Sequence, residues 1–127
     1  MIGLQADLDL IRAAAVAAGE LALAEREAGL KIWSKSGGSP VTSADMAVDR
    51  LLRTALIGAR PAYGWLSEET ADTPERLSAR RIFVVDPIDG TVAFMKNKPW
   101  WTVALAVVED GVATSAVVIS RASQGLR

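Results

Sequence analysis

Two aspartates three positions apart, Asp86 and Asp89, follow an apolar run in the second half of the chain. The run Arg81–Asp86 predicts a buried strand that ends at Asp86, and Pro87 stiffens a turn directly after it. Asp89 can fold back beside Asp86, with the carbonyl of Ile88 between them. Mg²⁺ prefers carboxylate and carbonyl oxygens as ligands. The spacing therefore favours a hard-cation site at this strand end.

A glycine and a threonine, Gly90 and Thr91, continue the same segment. Gly90 permits close approach of the backbone, and the pattern predicts a short helix from Thr91 to Asn97. The free N–H groups at the start of a helix attract anions. A cation site beside a phosphate cradle is the arrangement used in metal-assisted phosphate hydrolysis.

Other acidic residues also stand at the ends of predicted elements: Asp45 in the first turn of a helix, and the pair Glu68-Glu69 after a strand. Each has a structural explanation when it is taken singly. Asp86 could be a turn residue, the doublet a solvated strand end, Asp45 a helix-capping charge and Lys35 a surface lysine. The four tryptophans indicate packing in the core or at its rim.

Composition narrows the chemistry further. The chain has 127 residues, a net charge of -1, no cysteine and no histidine. Disulfides, thiolate catalysis, Ser-His-Asp triads and most zinc sites are therefore excluded. The balanced charge argues against a nucleic-acid polymer as partner. Catalysis would have to use carboxylates, hydroxyls, lysine and a hard metal ion.

The amino-terminal segment does not read as a targeting sequence. It lacks a basic start and carries Asp7 and Asp9, so it is a poor signal peptide. No apolar run reaches the roughly 18 residues that a membrane span needs. The sequence predicts a cytoplasmic protein.

The elements that must position these residues follow from hydrophobic periodicity. A long helix is predicted from about Leu4 to Leu30 and a second from Thr42 or Ser43 to about Gly58, with a loop or hairpin at 37–40 between them. Strands follow near residues 63–70 and 81–86, and Trp101–Ser120 predicts a hairpin around Glu109-Asp110-Gly111. This order predicts a single domain over 1–127, a layered α/β (α+β) fold with two N-terminal helices on a largely antiparallel sheet.

Three motifs together resemble the inositol monophosphatase superfamily. They are DPIDGT at Asp86–Thr91 after an apolar strand, SPVTSAD at Ser39–Asp45, and LSEE at Leu66–Glu69, in the family's order. The superfamily includes inositol monophosphatases, fructose-1,6-bisphosphatases, some histidinol-phosphate phosphatases and 3′(2′),5′-bisphosphate nucleotidases. The resemblance implies the N-terminal part of the sugar-phosphatase-type αβαβα fold. In overall appearance the chain most resembles bacterial nucleotidase-type members.

The resemblance also implies roles for these residues. Glu68, Asp86 and the Ile88 carbonyl would ligate a first Mg²⁺ (or Mn²⁺), and Asp86 and Asp89 would ligate a second. Thr91, hydrogen-bonded to Asp45, would orient the attacking water, and Asp45 could reach a third metal through water.

The resemblance implies two further contacts, one with the phosphate of the substrate and one with a loop over the site. Backbone N–H groups of Gly90 and Thr91 would hold the phosphate. Lys35 would contact the mobile loop that closes over the site, and Glu69 is the less certain member of the acidic pair.

Two departures from the family pattern shape the expected function. Ala93-Phe94 stands where the family often has Asn-Phe, and a second half that supplies another metal-ligating aspartate and substrate contacts is expected to be missing. The leading prediction is a Mg²⁺-dependent phosphate monoester hydrolase acting on adenosine 3′,5′-bisphosphate, an inositol monophosphate or a related metabolite. The alternative is a truncated, inactive metal-binding or self-associating module. Either chain is expected to form a homo-oligomer.

Overall fold

Two long helices precede the sheet in the computed structural model, which describes residues 3–35, 37–70, 72 and 74–120. Helix α1 spans Leu4–Ala28 and helix α2 spans Ser43–Ala59, so both helices predicted from the sequence are present. Small side chains at Ala14, Ala15, Ala18 and Ala22 are buried along α1 and allow it to pack closely on α2. Neither helix, nor any other in the described ranges, is long and apolar enough to cross a membrane.

The start of α2 is fixed by a capping box. The Thr42 hydroxyl accepts the Asp45 backbone N–H at 3.2 Å, and the Asp45 carboxylate accepts the Thr42 backbone N–H at 2.7 Å. Reciprocal bonds of this kind satisfy donors that a helix start would otherwise leave unpaired. Thr42, rather than Ser43, is therefore the N-cap.

The strands form a small hairpin and a four-stranded mixed sheet. The hairpin pairs β1 with β2, and the sheet has the order β3-β4-β5-β6. The β3–β4 pair is parallel, whereas the β4–β5 and β5–β6 pairs are antiparallel. The bounds are Ile32–Ser34 for β1, Pro40–Thr42 for β2, Gly64–Ser67 for β3, Arg81–Asp89 for β4, Thr102–Glu109 for β5 and Val112–Ile119 for β6. The largely antiparallel, layered α+β prediction holds, with one parallel pair added.

Strand β4 corrects the prediction that the chain turns at Pro87. It continues to Asp89, and its register with β5 slips between Asp86 and Asp89. Such a bulge accommodates a proline, which cannot donate to the ladder. The turn comes instead at Gly90, where the short helix α3 (Thr91–Met95) begins, and α3 ends two residues before the predicted Asn97.

The β5–β6 hairpin turns where the sequence predicted it. Asp110 and Gly111 both have positive φ, of 52° and 78°, and Glu109 pairs with Val112 across the turn. Positive φ at both central residues defines the two-residue turn that Asp-Gly favours, and its twist matches that of the strands.

The hydrophobic core lies between the helices and one face of the sheet. The inward side chains of Phe83, Val103, Leu105 and Val107 are buried there, against Ile11, Val48, Leu52 and Leu56 of the helices. The opposite, outer face carries Val84, Ala104, Ala106, Ala116 and Val118. On this face Val84, Ala104 and Ala106 are half-buried, whereas Ala116 and Val118 of β6 are exposed, Val118 by 66%.

A buried ionic cluster locks the end of the sheet where β4 begins. Asp7 of α1 is fully buried and accepts hydrogen bonds from Arg60 (3.1 Å), Tyr63 (2.9 Å) and Arg81 (3.2 Å). Arg81 also donates to Glu109 at 2.7 Å, and the guanidinium lowers the pKa of that carboxyl below its usual range. The cluster joins α1, the end of α2, β4 and β5.

Candidate metal and phosphate site

A cleft of about 290 Å³ lies at the carboxyl ends of β3 and β4, beside the β1–β2 hairpin. Because these two strands are parallel, their ends meet at one edge of the sheet. Ser67 pairs with Val85, so Glu68 and Asp86 are the next residues on each strand. The cleft is lined by Lys35, Ser39, Pro40, Glu68, Glu69, Asp86, Ile88, Asp89, Gly90, Thr91 and Val92.

The electrostatics of the cleft centre on Asp86. Burial, followed by the negative charges of Asp89, Glu68, Glu69 and Asp45, raises the pKa of Asp86 to about 6. Asp86 is half-buried, whereas Glu68 and Asp89 are exposed at the cleft. Crowded carboxylates that disfavour one another's charge create a strong attraction for a cation.

Asp45 and Thr91 are joined across the side of the cleft. The Thr91 hydroxyl lies 3.2 Å from Asp45 Oδ1 and 3.2 Å from the Ile88 carbonyl oxygen. The hydroxyl has one proton for these two acceptors, so it can donate to only one of them at a time. Asp45 Oδ2 is occupied by the capping box, which holds the carboxylate in a fixed orientation.

Lys35 reaches into the cleft and forms an ion pair with the acidic doublet. Its Nζ lies 2.9 Å from Glu69 Oε1, and this hydrogen bond raises the pKa of Lys35. Burial raises the pKa of Glu69, although Lys35 opposes that shift. Glu69 is therefore occupied by Lys35, and Glu68 remains the more open member of the pair.

Gly90 makes the sharp turn from β4 into α3. It adopts a left-handed conformation with φ 87°, and a Cβ added there would lie 2.8 Å from the Trp100 carbonyl oxygen. Both the backbone angle and the space require glycine at this position. Phe94 of α3 is fully buried, packs edge-on against Trp101 and lies under the Arg26 guanidinium. Of the four tryptophans, Trp65 and Trp101 are buried, whereas Trp33 and Trp100 are exposed.

The donor set fits a hard divalent cation in its chemistry. Within the described ranges, no three acidic side chains are grouped closely enough to make a ready-formed metal cluster. The candidate ligands instead converge from separate strand ends on one cleft, and all of them are oxygens. Mg²⁺ commonly binds through one or two carboxylates and several waters, so it does not require a closed protein cage.

Three residues behind the cleft have no role in the prediction from sequence: Asp49, Ser67 and Thr70. The buried Asp49 accepts hydrogen bonds from the hydroxyls of Ser67 and Thr70, which flank the acidic doublet. A usable signal was present, since Asp49 follows Asp45 by four residues and so lies on the same face of α2.

The fold and the cleft together define an α+β protein with a carboxylate-lined site beside a glycine turn. The inositol monophosphatase family model matches residues 4–124, and the chain belongs to that family.

Relatives with several activities match this chain. A glucose-1-phosphate thymidylyltransferase of Streptomyces griseus is 39% identical over 84 residues, which are 66% of this chain and 32% of the relative. A histidinol-phosphatase of Mycobacterium tuberculosis is 40% identical over 95 residues, which are 75% of this chain and 36% of the relative. A 3′(2′),5′-bisphosphate nucleotidase CysQ of Escherichia coli is 36% identical over 90 residues, which are 70% of this chain and 37% of the relative.

A solved structure confirms the fold. The extragenic suppressor protein suhB of Bartonella henselae superposes with a TM-score of 0.85 at 26% identity, over 93% of this chain and 46% of that chain. The chain thus spans about a third of the length of the matched relatives and less than half of that structure. The layers described above therefore correspond to part of the fold of that structure.

Proposed function

We propose that this chain carries the metal-binding part of a Mg²⁺-dependent hydrolase for phosphate monoesters of small metabolites. The observation that carries the proposal is the parallel pairing of β3 with β4, which brings Glu68 beside Asp86 at the mouth of a cleft that also holds Asp89, Gly90 and Thr91. The candidate ligands are all oxygens, which suit a hard metal ion.

The residues that would hold Mg²⁺, or Mn²⁺, are Glu68, Asp86, Asp89 and the Ile88 carbonyl. When bound, two such ions supply positive charge that polarises the phosphate and lowers the pKa of a water. Asp86, whose carboxylate interacts electrostatically with those of both Asp89 and Glu68, would be the shared ligand. Exposure of Glu68 and Asp89 leaves room for the waters that Mg²⁺ retains.

Thr91 and Asp45 would orient the attacking water. When the Thr91 hydroxyl donates to Asp45 Oδ1, its lone pairs are available to accept a hydrogen bond from water in the cleft. The buried Asp45 carboxylate cannot drift, because its other oxygen caps α2. The N–H groups of Gly90 and Thr91 would hold the phosphate, with Lys35 near enough to contribute positive charge when it leaves Glu69.

The substrate class follows from the family and its named members. Adenosine 3′,5′-bisphosphate, inositol monophosphates and histidinol phosphate are small phosphate monoesters, and each is a candidate for the whole protein. We place such an enzyme in the cytoplasm as a homo-oligomer. The half-exposed outer sheet face favours a second candidate, a catalytically inactive metal-binding or self-associating module.

Metal binding is the first test. We expect calorimetric titration to show that the wild-type chain binds Mg²⁺ and Mn²⁺. Asp86→Asn should lose at least about tenfold in affinity, because a carboxylate that ligates the metal directly is removed. Asp9→Asn, an exposed acid of α1, is the matched control and should bind as the wild type does. Equal binding by wild type and Asp86→Asn would refute the assigned site.

Phosphate release separates the two candidate functions. With Mg²⁺ and each of the three substrates, we expect release that Thr91→Ala removes and Thr91→Ser retains, because only the hydroxyl is required. Li⁺ should inhibit the reaction, as family membership implies. Metal binding without release on any substrate would favour the inactive module, and release that resists both Asp86→Asn and Li⁺ would indicate another mechanism.

A further inference from the structure

Asp49 is a buried carboxylate one helical turn after Asp45. It is 6% exposed, and its two oxygens are used separately. Oδ1 accepts the Ser67 hydroxyl, and Oδ2 accepts the Thr70 hydroxyl. Its described partners are hydroxyls, and no described basic side chain forms an ion pair with it.

The two hydroxyls flank the acidic doublet. Ser67 is the last residue of β3, directly before Glu68, and Thr70 directly follows Glu69. Ser67 Oγ also accepts the Glu69 backbone N–H at 3.3 Å, and Thr70 Oγ1 accepts the Trp65 indole N–H at 3.3 Å. The segment that carries the doublet is therefore pinned to α2 at both ends.

These pins matter because β3 has already ended. Glu68 keeps one bond to the sheet, from its N–H to the Val85 carbonyl at 3.3 Å, and Glu69 and Thr70 follow as bends. Beyond that bond, the segment is held by the contacts of Ser67 and Thr70 with Asp49 and by the ion pair of Lys35 with Glu69. Hydrogen bonds to a charged acceptor are shorter and stronger than those between neutral groups.

Helix α2 thereby holds both halves of the cleft. Asp45, in its first turn, contacts Thr91 on the glycine-turn side, and Asp49, in its second turn, contacts the doublet side. Residues four apart lie on one helix face, so a rigid spacing is set between the two sides. If Asp49 served only to hold α2 against β3, an uncharged side chain would be sufficient, because a buried charge is costly to desolvate.

We infer that Asp49 is a positioning residue that fixes the Ser67–Thr70 segment so that Glu68 faces the cleft alongside Asp86. The inference rests on the proposed function, because the Mg²⁺ ligand role of Glu68 is part of that proposal. Asp49 itself does not line the cleft and would not touch the metal or the substrate.

A metal-free readout tests the pinning itself. We expect hydrogen exchange followed by NMR to show faster exchange of the Glu69 amide in Asp49→Asn and Thr70→Val than in the wild type. The Leu66 amide, within β3, should keep its protection in both variants if the fold is intact. Unchanged exchange at Glu69 would show that Asp49 does not hold the segment, and would overturn the inference.

A matched pair at one position tests the consequence for the metal. Thr70→Val removes the hydroxyl that bonds Asp49 and should weaken Mg²⁺ binding about tenfold, comparable to the loss of a group that orients a metal ligand. Thr70→Ser keeps the hydroxyl and should bind as the wild type does. Thr114→Val, which removes a hydroxyl from the distant β5–β6 hairpin, is the control for the substitution itself.

The outcomes separate the two ideas. If the wild type binds Mg²⁺ through Asp86 but Thr70→Val and Asp49→Asn bind equally well, the positioning role is wrong and the proposed site stands. If the wild type does not bind Mg²⁺ at all, the proposed function fails and this inference fails with it. Should Asp49→Asn fail to fold, the Thr70 pair alone decides, because Thr70 lies in a half-exposed bend.

Discussion

Asp45 uses its two carboxylate oxygens for different purposes. Oδ2 closes the capping box at the start of α2, and Oδ1 lies 3.2 Å from the Thr91 hydroxyl in the cleft. The structural and the functional explanations of this residue are therefore compatible, since each uses its own atom. The same contact shows why a capping aspartate can serve a site, because the cap holds the carboxylate still.

The motif residues could be found from sequence because they cluster in short segments with a fixed spacing. Asp86, Asp89 and Thr91 are close in the chain, and the structure brings Glu68 to the same cleft. The four-residue spacing from Asp45 places Asp49 on the same helix face, but spacing alone does not show that Asp49 is buried. An acidic residue on a helix usually faces water, and the hydroxyls that bury this one come from another part of the chain.

The raised pKa of Asp86 predicts a pH-dependent stability in the absence of metal. Its pKa is about 6 in the folded chain against an ordinary value of 3.8, so folding favours the protonated form. The stability associated with this group is fully present below about pH 4 and is lost as the pH rises through 6. Above pH 6 the ionised Asp86 destabilises the metal-free fold.

Asp86→Asn should therefore stabilise the metal-free chain at pH 7.5 and have little effect near pH 4. We expect a gain of about 1 kcal/mol, because one pKa unit corresponds to about 1.4 kcal/mol and water screens part of the effect on a half-buried group. Thermal melts at both pH values with a chelator present measure it. Saturating Mg²⁺ should reverse the order, and a variant less stable than wild type at pH 7.5 in chelator would contradict the pKa assignment.

The elements divide into those that local sequence determines and those that distant contacts determine. The helices and the β5–β6 hairpin follow from periodicity and turn residues, and they appear close to their predicted bounds. The parallel β3–β4 pair and the bulge that carries β4 past Pro87 depend on which strands meet across the sheet. Local pattern does not encode that choice, although it is the choice that forms the cleft.

The Asp7 cluster is another element-scale feature that periodicity could not reveal. Asp7 interrupts an apolar helix face, and its partners Arg60, Tyr63 and Arg81 are contributed by the other elements of the fold. The cluster lies at the start of β4, whereas the candidate site lies at the end of the same strand. It stabilises the packing of α1 on the sheet without touching the cleft.

Replacing Asp7 by asparagine should destabilise the fold by about 3 kcal/mol, since it removes the carboxylate that pairs with Arg60 and one of the two carboxylates that pair with Arg81. Urea denaturation measures the change. Asp9→Asn, two residues further on the exposed side of α1, should change stability by no more than about 0.5 kcal/mol. Under folding conditions Mg²⁺ affinity should match the wild type, and a weakened affinity would show that the cluster is coupled to the site.

At the scale of the whole molecule, the described residues cover the sheet on one side only. The inward face packs on α1 and α2, but a shallow apolar groove of about 260 Å³ runs over the outer face, lined by Val84, Ala104, Ala106, Ala116 and Val118. Glu68 and Asp86 also line this groove. Strands with apolar residues on both faces usually have cover on both sides.

This outer face should drive self-association of the chain. An exposed apolar patch next to the edge strand β6 favours pairing with a second copy, which would bury both patches. We expect light scattering coupled to size exclusion to give a dimer or larger assembly at micromolar concentration. Val118→Lys places a charge in the centre of the contact and should shift the population to monomer.

Leu77→Lys is the control for added charge, because Leu77 is 73% exposed on the short 3-10 helix (Pro74–Ser78) and does not line the groove. It should leave the assembly unchanged. A wild-type chain that stays monomeric and binds no hydrophobic dye would show that the outer face is stable in water. An assembly that survives Val118→Lys would show that the contact lies elsewhere. The next residues to substitute would then be two exposed tryptophans, Trp33 in β1 and Trp100 after α3.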